Sequence, residues 1–492
     1  MERPPLRAVG NLEKFLIHQH LVQFFNNVQV ACVYSLPARV LINPRKRLPG
    51  LVYAALGKTI ECHPILGLAL KNEDSPEPAW RRLERVDLRQ IVEFIDADPY
   101  APLDTWIQEQ HQKPVHKPQE LPLWRCVSVH SSQDAEDAVS FALSFSFHHV
   151  VGDGLSGAAF HRTFRHALNE LLSLITNTPD DVDFAGKEMA QIPKLALVPH
   201  LEESMDLPLT TFFLLNKAFK SFVYNFTDTR EWTGPLISNT RAPISNTRTF
   251  YLPQEVLRGL RDRCRTRQTT ITALVTVLTA RSLALLYPTH TRFVASVPFS
   301  LRKFSKHSPD DMGCLTAIAE PHFSSEPNQP WGYMSCRFGS TPDAPSASDD
   351  EKLWKEAKAC KDLIHRRSGS STNLSVGLTK FVGDYRQHFL NMVGGRRRHA
   401  FTVTNIGVVD GGGSLSPATE KGQAIFDRVV FSVGASTNGA PYSICLASAT
   451  DGFTSVTLNW ETGVVEDRDA HDLLGALERE MSRLAEFKVQ GR

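Results

Sequence analysis

The chain has 492 residues, 42% of them hydrophobic and 22% charged, so it is long enough for two large domains and apolar enough to fold without metals or disulfides. Lysine plus arginine number 54 against 53 acidic residues, which gives whole-chain electrostatics no reason to attract nucleic acid or an anionic membrane. The eight cysteines lie far apart with no C-x-x-C pair, which argues against zinc and disulfide frameworks and fits a reducing, cytoplasmic setting.

The first residues carry no apolar stretch of signal-peptide type, so secretion is not expected. Leu12, Phe15, Leu16, Leu21, Phe24 and Phe25 recur at helical spacing, and 28–34 then turns β-rich. A helix is expected over 51–60, a short strand over 65–70 after Pro64, and a hairpin from strands 123–130 and 138–151. Phe160, Phe164, Leu168, Leu171 and Leu172 recur at steps of three and four, marking an amphipathic helix from 155 to about 175. The aperiodic, Pro- and Gly-bearing stretch 227–246 reads as a linker between a domain over 1–226 and a second over 247–492.

In the second half a strand is expected over 248–252 and a long apolar helix over 271–286 with Thr270 as its N-cap. That helix is interrupted by Arg281 and falls short of the ~20 apolar residues needed to cross a bilayer. A strand over 292–297 and a polar insertion near 323–350 follow, then a helix over 350–367. Strands over 400–404, 428–433, 443–448 and 454–460 and a closing helix over 470–487 complete a mixed α/β (α+β) pattern in each half.

The chemistry concentrates in His148-His149-Val150-Val151-Gly152-Asp153-Gly154, where the second hairpin strand gives way to the amphipathic helix. With the strand running through the histidines, alternation points His148 and His149 in opposite directions and keeps them from sharing one metal. His149 ends the apolar face of Phe141, Leu143, Phe145 and Phe147. Partial desolvation there favours the neutral imidazole, the form that takes a proton from a substrate hydroxyl. Gly152 and Gly154 suit a tight turn around Asp153, whose carboxylate either orients an imidazole or pairs with an arginine elsewhere in the fold.

This heptad resembles the His-His-x-x-x-Asp-Gly motif of the CoA-dependent acyltransferase superfamily, and within it the fungal alcohol O-acetyltransferase family. Further similarity lies in Leu12-Glu13, His63-Pro64-Ile65-Leu66, Leu121-Pro122-Leu123-Trp124-Arg125, Trp232-Thr233-Gly234, Val297-Pro298-Phe299-Ser300-Leu301-Arg302 and Thr404-Asn405-Ile406-Gly407, which span nearly the whole chain. The resemblance implies two chloramphenicol-acetyltransferase-like domains with an active-site tunnel at their interface. It also implies acetyl-CoA or another acyl-CoA as co-substrate, no bound cofactor, and a small-molecule alcohol as acceptor. His149 carries over as general base in a ternary complex, Asp153 as its structural support, and His148 and Gly154 as parts of the same turn. A monomer is expected, with peripheral contact to endoplasmic reticulum or lipid droplets kept open because family members sit on lipid surfaces. The sequence departs from the family pattern at Ser300, where asparagine is usual, and at Cys314 after Met312-Gly313, and it lacks the Asp-Phe-Gly-Trp-Gly motif of the plant enzymes.

Arg302 is the candidate partner for Asp153, and Thr404 and Asn405 are candidate hydrogen-bond donors to the thioester oxygen as it becomes an oxyanion. Arg396, Arg397 and Arg398 form a basic run suited to the phosphates of CoA, with a solvated loop as the plainer reading. Gly411-Gly412-Gly413 reads as a hairpin tip. No G-x-S-x-G, H-E-x-x-H or G-x-G-x-x-G occurs, so serine hydrolases, zinc proteases and Rossmann dehydrogenases lack their local signatures. Two alternatives stay open: condensation from a carrier-protein thioester, and a catalytically silent ligand-binding homologue.

Overall fold

In the computed structural model, residues 6–37, 44–101, 103–131, 138–177, 184, 186–223, 228–238, 242–330, 332–337, 346–412 and 422–485 are described. The N-terminal half comprises α1 (Asn11–Leu21), β1 (Val28–Pro37), α2 (Pro44–Cys62), β2 (Leu68–Lys71), β3 (Ala79–Arg82), β4 (Arg85–Asp87), β5 (Val92–Asp96), α3 (Leu103–Gln112), β6 (Trp124–His130), β7 (Ala138–Phe147), α4 (Gly154–Asn177), β8 (Met189–Gln191), α5 (Leu201–Ser204) and α6 (Thr211–Val223). The C-terminal half comprises β9 (Ser245–Leu252), α7 (Gln254–Thr266), α8 (Ile271–Leu286), β10 (Arg292–Ser300), β11 (Thr316–Ala319), β12 (His322–Ser324), β13 (Met334–Ser335), α9 (Ala347–Ser368), α10 (Tyr385–Leu390), β14 (Phe401–Val409), β15 (Ile425–Val433), β16 (Tyr442–Ala449), β17 (Thr454–Glu461) and α11 (Asp467–Ala485).

β1 is buried at all ten positions because it lies inside a sheet of order β15-β1-β7-β6-β5. The expected hairpin is present, with β6 antiparallel to β7 from Trp124↔Phe147 to His130↔Phe141. α4 lays the predicted apolar stripe on this sheet: Phe160, Phe164, Leu168 and Leu172 are fully buried, and Phe160 stacks on Phe145 at 3.8 Å between ring centroids. Each such side chain contributes about 1.5–3 kcal/mol by leaving water. A second sheet, β13-β12-β10-β14-β16-β17-β9 with β11 beside β10, forms the other half. α8 covers it, beginning where Thr270 accepts the backbone N–H of Ala273 and burying every residue from Ala273 to Leu283, Arg281 included.

Two features place the site. β15 belongs by sequence to the second half, yet pairs antiparallel along β1 from Val28↔Val433 to Ser35↔Ile425 and closes the edge of the first sheet. β10 and β14 pair only at Ala295–Phe401 and Ser296–Thr402, after which β10 turns to β11 while β14 continues beside β16. The strands therefore part, and the start of α4 meets β14 beyond that point, with Ile406 packed against Gly154.

Several expectations change. Residues 65–70 are a 3₁₀ turn at Pro64–Gly67 followed by the short β2, because proline starts the turn without needing a backbone donor. The hairpin strand expected to reach 151 ends at Phe147. The polar stretch 323–350 carries β12 and β13 and the capped start of α9, and its residues 338–345 lie outside the described ones. Gly413 and residues 486–492 lie outside them too. Among the described residues no single helix is long and apolar enough to cross a membrane.

Candidate active site

Because β7 stops at Phe147, strand alternation no longer governs the two histidines, which sit in the turn leading to α4. His148 is buried, its backbone N–H donating to the Leu123 carbonyl at 2.9 Å and its Nδ1 accepting from Val150 N–H at 3.0 Å. His149 is only partly buried, with its Nδ1 3.0 Å from the Gly152 carbonyl. A carbonyl can only accept, so Nδ1 carries the proton and Nε2 presents a lone pair. Among the described residues no protein group hydrogen-bonds that Nε2. Burial pushes the His149 pKa below 6.5, although the Gly152 hydrogen bond and the charge of Asp153 pull the other way.

Asp153 does not orient the imidazole. Its carboxylate caps α4, accepting the Ser156 N–H at 3.0 Å, and accepts the Leu315 N–H at 3.2 Å. Arg302 closes a two-pronged pair on it, Nη1 to Oδ2 at 2.7 Å and Nη2 to Oδ1 at 3.0 Å. Of the two roles open to Asp153 from sequence, the structure shows the arginine pairing, and it spans the two halves. Burial alone would raise the Asp153 pKa, but the Arg302 charge and these donors outweigh it and hold the carboxyl below 3.8. Ser156 ties the same knot to Gly313, whose N–H donates to Ser156 Oγ at 3.1 Å.

The two glycines act by size rather than by turn conformation, which corrects the expectation drawn from the motif. Neither Gly152 nor Gly154 has a positive φ. A Cβ on Gly152 would lie 2.3 Å from Ser156 Cβ, and one on Gly154 would lie 2.6 Å from Ile406 and 2.7 Å from Phe431. Gly154 is the point where α4, β14 and β15 meet.

Thr404 and Asn405 part company. Alternation puts Thr404 on the face of β14 shared with Ile406, toward the histidine turn, and its hydroxyl has no partner among the described residues. Asn405 faces α8, where its Nδ2 donates to Thr272 Oγ1 at 3.1 Å and its Oδ1 accepts the Gly407 N–H at 2.8 Å.

The arginine run expected at CoA phosphates is engaged inside the protein. Arg396 donates to the carbonyls of Asp228 and Glu231, at 3.1 and 2.5 Å. Arg397 is buried against the Pro235 carbonyl and lies 3.7 Å from Glu461. Arg398 pairs with Glu320 at 2.7 Å. Arg396 and Arg397 thereby hold the connecting segment 228–236 to the second half, while Arg398 is taken up by Glu320.

Sequence reasoning missed His20. It lies in the last turn of α1, stacks on His148 with centroids 3.5 Å apart and planes 15° from parallel, and its Nε2 accepts the His149 backbone N–H at 3.4 Å. Phe25 packs against both His20 and His149. Burial lowers the His20 pKa, with His148 and His149 adding to the effect, and burial pushes His148 down to about 3. The three imidazoles are therefore neutral near pH 7, and among the described residues no His, Cys, Asp or Glu group is arranged to hold a metal ion.

A sequence profile described as alcohol acetyltransferase matches residues 103–304, the segment that holds the histidine turn, Asp153 and Arg302. Over that segment the chain is similar to the alcohol acetyltransferase family. Its relatives there include the probable alcohol acetyltransferase crmB of Aspergillus fumigatus, 26% identical over 94% of this chain and 96% of the relative. The probable alcohol acetyltransferase FCK4 of Fusarium pseudograminearum is 23% identical over 94% and 91%. Among solved structures, the TRI3 trichothecene 15-O-acetyltransferase from Fusarium sporotrichioides superposes with a TM-score of 0.70 over 97% of this chain and 95% of that one, at 13% identity. The epimerization domain from the third module of tyrocidine synthetase B superposes at 0.56, with 15% identity over 99% of both chains. The fold is thus the two-lobed, chloramphenicol-acetyltransferase-like one, and the profile and the two fungal relatives support an O-acetyltransferase.

Proposed function

We propose that the protein transfers an acetyl group from acetyl-CoA to the hydroxyl of an alcohol acceptor, a hydroxylated secondary metabolite of fungal type, with His149 as general base. The observation that carries this reading is the tautomer. Nδ1–H is held by the Gly152 carbonyl, so the unoccupied Nε2 is the nitrogen able to take the proton. The acceptor oxygen then attacks the thioester carbonyl as its proton passes to Nε2, and the same proton returns to the leaving thiolate. Thr404 is the better placed of the two candidate oxyanion donors because it shares a face with Ile406 at the histidine turn. Asp153 and Arg302 act through position alone, fixing the start of α4 and hence the Gly152 carbonyl. The crmB and FCK4 relatives and the profile support acetyl transfer to an alcohol. The 15-O-acetyltransferase neighbour supports the fold.

The test is release of free CoA from acetyl-CoA across a panel of small alcohols, sterols and hydroxylated terpenoids and polyketides, for the native chain beside His149→Ala. Release that depends on acceptor and disappears with the substitution supports the proposal. A folded protein that releases no CoA with any acceptor, yet processes a carrier-bound thioester, would overturn it.

A further inference from the structure

Arg258, Arg261 and Arg265 recur on α7 at steps of three and four and so share one face. All three are exposed, while Leu260 and Cys264 on the other side pack into the core. With Val408 and the turn at Thr450 and Asp451 they line a depression of about 190 Å³. Arg265 lies 3.6 Å from Asp262, and Asp451 already accepts from Gln254 at 2.9 Å. Arg258 and Arg261 have no carboxylate partner among the described residues. This contrasts with Arg396, Arg397 and Arg398, all of which are engaged by carbonyls or carboxylates.

The depression connects to the histidine turn through β14. Gly407 has φ +77° and sits in a bulge between Asn405 and Val408. The bulge re-aims Val408, so that Ile406 faces Gly154 while Val408, two residues on, faces the arginines. Two strand residues span about 6.6 Å. On the α8 face of the same strand Asn405 donates to Thr272, and β14 has lost β10 as a neighbour there, which leaves that edge of the strand open beside the histidine turn.

We propose that Arg258, Arg261 and Arg265 bind the phosphates at the nucleotide end of acyl-CoA, with the pantetheine arm following the open edge of β14 to reach His149. Guanidinium forks match phosphate oxygens, and a ladder of three suits a ligand with phosphates at two separate positions. The inference rests on the CoA-dependent reading above.

The experiment measures binding of adenosine 3′,5′-bisphosphate to the native protein by calorimetry. It also compares kcat/KM for acetyl-CoA with that for S-acetyl-N-acetylcysteamine, a thioester without phosphates. Arg258→Gln, Arg261→Gln and Arg265→Gln, singly and together, are set beside Arg468→Gln, an exposed residue of α11 remote from the site. Each α7 substitution should weaken bisphosphate binding about fivefold to tenfold. The preference for acetyl-CoA over the short thioester should fall in step, and Arg468→Gln should bind as the native chain does. A triple variant with native bisphosphate affinity, or a parallel fall for both thioesters, would overturn the assignment. If the native chain binds the bisphosphate through these arginines but acetylates no alcohol, the reaction reading fails and the anion site stands. If it acetylates alcohols with a preference for acetyl-CoA that ignores all three arginines, the site fails and the reaction stands.

Discussion

His149 has one hydrogen bond from its ring, to a backbone carbonyl, so removing the ring should remove chemistry and leave the fold. His149→Ala and His149→Gln are expected to lower kcat by about 10² to 10⁴-fold, with a thermal midpoint within a few degrees of native; unfolding of either variant at assay temperature would contradict this. The base works only when neutral, so activity rises with pH through its pKa. Because burial sets that pKa below 6.5, the acid limb of kcat/KM against pH should have its midpoint below 6.5. His20 is a positioning residue in the same cluster. His20→Phe keeps a ring on His148 and loses the acceptor for His149 N–H, and His20→Asn does the reverse. With a long 3.4 Å bond, each should cost about threefold to tenfold in kcat with KM nearly unchanged. Equal losses of thermal stability with native kcat would assign the stack to folding alone. The base was legible because it sits in a motif contiguous in sequence. His20 was not, since helical spacing shows which face of α1 it occupies and nothing about which ring it meets.

At the scale of elements, the join between β7 and α4 depends on one carboxylate and one missing methyl group. Arg302→Ala would leave Asp153 buried without its cation, a loss of about 3–5 kcal/mol, measurable as a lower urea midpoint. Asp153 has its pKa held below 3.8 despite burial, so its contribution is present above the unfolded value and is lost as pH falls through the folded one. Arg302→Ala should therefore move acid unfolding to higher pH, and an unshifted acid transition would show that the pair does not anchor the turn. Gly154→Ala forces a Cβ into Ile406 and Phe431 and should cost about 1–3 kcal/mol, partly recovered by adding Ile406→Ala. Thr270 does cap α8 and the stripe from Phe160 to Leu172 does form α4, as their patterns predict, whereas the end of β7, expected at 151, falls at Phe147 because the apolar Val150 and Val151 extend the strand pattern into the turn. α7 escaped notice because Arg258, Arg261, Arg263 and Arg265 dilute its apolar residues to a pattern that reads as a polar connection.

For the whole molecule, period-2 patterning identifies 428–433 as a strand but carries no information on which sheet it joins, and that choice ties the halves together. β15 completes the first sheet along β1, while Ser432 Oγ donates to Asn459 of β17 at 2.8 Å and Ser455 Oγ donates to the Val429 carbonyl at 2.6 Å. His111 of α3 meets the same Ser432 at 2.7 Å. β15 supplies Phe426, Val429 and Phe431 to the first half's core while these bonds fasten it to β17 of the second, so probes in both halves should report coincident unfolding transitions. Acid should trigger that transition well above the carboxylate range. His63, His111, His148 and His161 are buried, and burial lowers their pKa values to about 4, 3, 3 and 4. The unfolded chain takes up protons on them below pH 6.5 while the folded chain does not, so each group removes about 1.4 kcal/mol of stability per pH unit between those limits. Stability should fall steeply from pH 6 downward, and His111→Gln, which keeps a polar group between Asn27 and Ser432, should flatten the slope by one proton. A denaturation midpoint that stays constant from pH 6.5 to 5 would show that these imidazoles titrate alike in both states and that the site is wetter than its packing implies.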